Sequence, residues 1–143
     1  MRAAPARLWR RLDWRGLALA STGISWISYG ASLTAQPRYG TVRGITVLLD
    51  IMPMTAWGWG WIGCGLLCLA YCCSPAGRDL PGLAGAIAPP LLWSLAYALG
   101  WVSGASSTAW GAVAPWASHA LLILIIARVT RRKLIVPVVR YGE

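Results

Sequence analysis

A chain of 143 residues, 57% hydrophobic and only 12% charged, is one domain at most, and too apolar for a soluble domain of that size, in which about a quarter of residues are charged. Its net charge of +9 comes from twelve arginines and one lysine against four acids. These basic residues flank apolar blocks without an aromatic-and-basic recognition motif, so they point to anionic lipid headgroups as partners, at about 1 kcal/mol per residue, and away from nucleic acid.

In chain order, residues 1–15 are a basic tail in which Arg2, Arg7, Arg10, Arg11 and Arg15 alternate with Trp9 and Trp14. The first apolar block, 16–35, carries no charge between Arg15 and Arg38. Its length suits a membrane-spanning helix, which needs about 20 apolar residues, better than the core of a cleavable signal, about 7 to 15. Cleavage of residues 1–35 at the small-residue stretch "SLTAQP" is the alternative. Within this block Ser21, Ser25, Ser28 and Ser32 recur at spacings of 4, 3 and 4, which places them on one straight seam of a helix. Lipid tails are as apolar as leucine, so helices associate in a bilayer through close packing and hydrogen bonds between small and hydroxyl residues. The seam is expected to face another helix, or to line a pore in an assembly.

Residues 36–54 form an external interfacial segment, because "GITVLLDIM" is too short to span. The second block, 55–73, reads "TAWGWGWIGCGLLCLAYCC" and also lacks charge. Strand-like alternation of Trp57, Trp59 and Trp61 is excluded because a lone strand leaves its backbone unpaired in lipid. On a helix opening at Pro53 the three become anchors at the outer water–lipid boundary. Reading every fourth residue gives Ala56, Gly60, Cys64, Cys68 and Cys72, a ridge of small residues in which Gly60, Cys64 and Cys68 would meet a straight neighbour. There is no CxxC and no loop-borne ligand set, so no metal or cofactor is expected. Reactivity is left open only for Cys72 and Cys73.

The third block spans 83–103. Ala96, Gly100 and Gly104 make a GxxxG-type packing face there, and Pro89 and Pro90 are expected to bend the helix. The fourth spans 109–127 and contains Pro115 and His119, the single histidine. A titratable group in hydrocarbon should face the bundle interior and find a partner, here Ser94, Tyr97 or the first-block serines. Residues 128–143 are a second basic tail. Eleven of the thirteen basic residues fall on one side of the four blocks, leaving Arg38 and Arg43 on the other. Basic residues near span ends favour the cytoplasm, so both termini are expected inside.

The expected fold is therefore all-α, an integral membrane protein with four transmembrane helices in a small bundle. Phosphate loops, HExxH, GxSxG and paired intramembrane carboxylates are all missing, so no enzyme is expected. Arginine-rich, lysine-poor usage with abundant alanine, glycine and tryptophan fits a GC-rich bacterial or phage gene. "WISYG", "PMTAWGWGWIGCGLL" and "WSLAYALGW" resemble small four-span membrane proteins of actinobacteriophages. Trp26, Gly30, Pro53, Trp57, Gly58, Trp61, Gly63, Gly65, Trp93 and Tyr97 carry the resemblance, which covers residues 16–127. It implies a holin-like phage protein that forms homo-oligomers in the bacterial cytoplasmic membrane, the host cell's inner membrane, and permeabilises it during host lysis. Two alternatives stay open. One is a non-lytic accessory protein, acting in superinfection exclusion or as a membrane scaffold for a host or phage partner not named by the sequence. The other is a small channel or carrier using His119 and the first-block serines.

Overall fold

Asp13 opens the first long helix as the sequence dictates: its carboxylate accepts from the Gly16 N–H at 2.7 Å and so caps an orphan donor of the first turn. The computed structural model describes residues 13–36 and 39–132, and every element in them is helical. These are α1 (Trp14–Ala35), α2 (Tyr39–Gly44), α3 (Thr46–Leu49), α4 (Met54–Tyr71), α5 (Leu80–Val102) and α6 (Trp110–Arg132). Most of both basic tails, with Trp9 and Arg38, lies outside the described residues. Pro53 precedes α4 in an extended conformation, and Pro81 occupies the first turn of α5, where a missing N–H costs nothing. α5 continues through Pro89 and Pro90, and α6 through Pro115.

The four long helices alternate in direction and, at 1.5 Å per residue, are about 27 to 35 Å long, close to the thickness of a bilayer core. Two of them, α5 and α6, are both long and apolar enough to cross a membrane. α1 and α4 fall short of that apolarity because serine, glycine and tryptophan replace aliphatic residues along them.

Those same substitutions let α1 and α4 approach to backbone contact. Gly16, Gly23 and Gly30 recur every seven residues on α1 and meet, in antiparallel order, Cys72, Gly65 and Gly58, again seven apart. A Cβ added to Gly23 would lie 2.8 Å from the Gly65 carbonyl oxygen, and one on Gly65 would lie 2.6 Å from that of Gly23. One on Gly30 would lie 2.5 Å from the Gly58 carbonyl, and one on Gly16 would collide with that of Cys72. A seven-residue repeat keeps one stripe facing its partner along two slightly supercoiled helices, which explains how three steps stay in register.

α2 and α3 fold against the far end of α5, burying Ile45 and Leu48. Tyr97 lies across Gly44, and the Gly44 carbonyl sits against Gly100. Trp57 donates its Nε1–H to the Leu48 carbonyl at 2.9 Å, fixing this cap to α4 as well.

Candidate functional site

Side chains from all four long helices fill the middle of the bundle with aromatic rings. Trp61 of α4 is 2% exposed and central. Its ring centroid is 4.8 Å from Trp26 and 4.7 Å from Tyr29 of α1, 5.1 Å from Trp93 of α5 and 5.4 Å from Trp116 of α6. Three of these contacts are edge-to-face, the arrangement that sets a ring's positive edge on its neighbour's negative face. Trp93 donates to the Tyr29 hydroxyl at 3.1 Å, linking α5 to α1.

His119 borders this layer, with its ring 4.7 Å from that of Trp26. Its Nε2 is buried without a hydrogen-bond partner, as are the Nε1 atoms of Trp26 and Trp61. The expected partners are engaged elsewhere: the Ser94 hydroxyl donates to the Val113 carbonyl at 3.1 Å, and Tyr97 pairs with Thr41. The arrangement of His119 is that of a packed ring in an aromatic seal.

The end of the bundle where α1 begins holds the other polar cluster. Arg15 is 4% exposed and Asp79, which precedes α5, is 1% exposed. Arg15 Nε and Nη2 grip both carboxylate oxygens in a two-pronged pair. Arg15 Nη1 donates to the Ala127 carbonyl at 2.7 Å and lies 3.3 Å from the Thr130 hydroxyl, both on α6. Gly77 N–H completes the carboxylate's shell at 3.0 Å. Burial works against ionisation of Asp79, but Arg15 and the Gly77 N–H outweigh it and hold the carboxyl below its usual range. In the sequence Arg15 is one of the basic residues flanking the first apolar block, and nothing local pairs it with Asp79. Only the fold joins positions so far apart in the chain.

The remaining expected site residues divide into groups. Ser21, Ser25, Ser28 and Ser32 are all exposed on the outer face of α1, turned away from the other helices among the described residues. The reason is steric: glycine lets backbones approach more closely than serine, so the glycine stripe took the inner face. Ser21, Ser25 and Ser32 donate to carbonyls of their own helix at 2.7 to 3.0 Å. Of the cysteine ridge, Cys68 is buried and donates to the Gly82 carbonyl at 3.3 Å, Cys64 is half-buried, and a Cβ on Gly60 would meet open space. Ala96 and Gly100 are buried, Gly100 against the α2–α3 cap and not against a spanning helix. Gly104 lies past the end of α5 at φ +77°, a turn glycine and not a packing step. Among the three expected anchors Trp59 is exposed, Trp57 is half-buried and tied to Leu48, and Trp61 is core. The exposed tryptophans near that end are Trp59, Trp101 and Trp110, with Trp14 at the other.

No family model, curated protein or solved structure matches this chain. Among the described residues, no three His, Cys, Asp or Glu side chains gather as metal ligands. The aromatic layer packs the middle of the bundle, and the arginine–aspartate pair ties the start of α1 to the start of α5 and to α6.

Proposed function

We propose that the chain is a four-span membrane protein with the start of α1 and the end of α6 at the cytoplasmic face, and that it acts in a holin-like manner by assembling copies into membrane lesions. The observation that carries this reading is the distribution of polarity. Large aliphatic side chains such as Leu66, Leu95, Leu121 and Leu124 point outward, whereas Arg15 and Asp79 are buried, the inverse of a water-soluble bundle. Exposed tryptophans at both ends suit the two water–lipid boundaries. The aromatic layer closes the middle of a single bundle, which favours permeation between copies over a path through one. The serine seam supplies the outward face on which copies would meet, since its hydroxyls can hydrogen-bond across helices.

Inducible expression in a bacterial host tests this, with membrane potential and release of a cytosolic enzyme followed together. Abrupt, timed loss of both is expected, and Ser25→Leu should delay or abolish it without unfolding the protein. Steady growth with intact potential at high expression would sink the lytic reading and leave the non-lytic accessory role.

A further inference from the structure

Cys72 and Cys73 close α4 at the end that holds the arginine–aspartate pair. Successive positions on a helix point about 100° apart, so neighbouring side chains do not ordinarily converge. Here Cys72 is the C-cap of α4 and keeps a helical backbone, φ −61° and ψ −26°, yet the two Sγ atoms lie 3.7 Å apart. Cys73 is exposed and Cys72 is half-buried, with Cys72 also donating to the Leu69 carbonyl at 3.1 Å. Cys64 and Cys68 are further inside the bundle.

We propose that Cys72 and Cys73 form a redox-responsive dithiol, oxidised by small disulfides to a disulfide between neighbours, and that this oxidation loosens the α1–α4 contact at its Gly16 step. The exposed Cys73 thiolate attacks one sulfur of the small disulfide and releases the other half as a thiolate. Cys72, having lost its proton to solvent, then attacks the Cys73 sulfur and expels the second half. Two protein thiols become one disulfide, and the small disulfide becomes two thiols. Neighbouring Cα atoms across a trans peptide are about 3.8 Å apart. Ordinary disulfides span about 4.4 to 6.8 Å, so this bond is strained and readily reduced. Strained, accessible disulfides belong to the labile, regulatory class, so this one forms only when the ratio of disulfide to thiol around it rises.

The strain falls on the Cys72–Cys73 peptide, whose carbonyl is the one packed against Gly16. That contact has no room even for a Cβ, so the carbonyl cannot turn without displacing the start of α1. Arg15 is the preceding residue, and its grip on Asp79 is the contact next in line. The proposal stands whether or not the protein permeabilises membranes.

The test uses the full chain in detergent with oxidised glutathione as the probe, followed by intact mass, alkylation mapping and hydrogen exchange. Loss of two hydrogens confined to Cys72 and Cys73, reversed by dithiothreitol, is expected. Exchange of amides in residues 14–20 should rise several-fold on oxidation, while that around Gly30 stays unchanged. Cys73→Ser should abolish the mass loss, and Cys72→Ser should leave a stable glutathione adduct on Cys73. A persistent adduct on the wild-type chain, a disulfide-linked dimer, oxidation at Cys64 or Cys68, or unaltered exchange at residues 14–20 would each overturn it.

Discussion

The α1–α4 pair and the α5–α6 pair solve the same problem with different materials. α5 and α6 are apolar enough to cross a membrane by composition, and they meet through side chains, with Ser94 bonded to the Val113 carbonyl as one polar tie. α1 and α4 are less apolar and meet backbone to backbone, because glycine at every seventh position removes the side chains that would hold them apart. The residues that lower a helix's apolarity are therefore the ones that give it its closest neighbour. In lipid, where no hydrophobic force draws helices together, close van der Waals contact takes over that role. The pairs are joined by the aromatic layer around Trp61 at mid-height, by the Arg15–Asp79 clasp at one end and by the α2–α3 cap at the other, with the Cys68–Gly82 contact between α4 and α5.

The largest expected effect is on the joint between the pairs. Asp79→Ala leaves a buried guanidinium without its counter-charge and should cost about 3–5 kcal/mol, read as a large drop in thermal midpoint in detergent. Trp61→Ala should cost a comparable amount, about 3–5 kcal/mol, by emptying the centre of the aromatic layer. Gly30→Ala tests the glycine stripe and should lose about 1–3 kcal/mol through overpacking on the Gly58 carbonyl. Gly60→Ala on the same pair is its control. It meets open space and should gain up to about 1 kcal/mol from helix propensity, so equal losses at both positions would refute the register described.

Acid should act on the clasp. Because the folded-state pKa of Asp79 is lowered, its contribution is complete above the unfolded value of about 3.9 and is lost as pH falls through the lower folded value. Wild-type stability should thus decline below about pH 4, and Asp79→Asn should be less stable at neutral pH but flatter across that acid range. The smallest effect is expected at His119. Its Nε2 has no partner, so His119→Leu removes a buried polar atom at little cost and should leave both stability and any lytic timing nearly unchanged.

Much of this was legible in the chain itself. The four long helices run through the four apolar blocks, and α6 continues to Arg132, with no proline or glycine between Arg128 and that point. Ser21, Ser25, Ser28 and Ser32 share one exposed face, and which face of α1 turns inward depends on the competing stripe of Gly16, Gly23 and Gly30. A seven-residue glycine repeat matched by Gly58 and Gly65 was the available signal, and spacings of three and four obscured it. Trp61 shared its alternation with Trp57 and Trp59, yet on a helix two residues turn the side chain by about 200°, so neighbours in the pattern need not share surroundings.

Composition and block length by themselves determined an all-helical chain of apolar segments with basic flanks, because those properties follow from local hydrogen bonding and from the cost of placing charge in hydrocarbon. Tertiary structure alone decided which stripe of α1 became its inner face, which carbonyls the glycines would meet, and that Arg15 and Asp79 would neutralise one another. Each of these depends on distances between residues tens of positions apart, and the physical quantity that selects among them, how closely two backbones can approach, belongs to a pair of helices and not to either one.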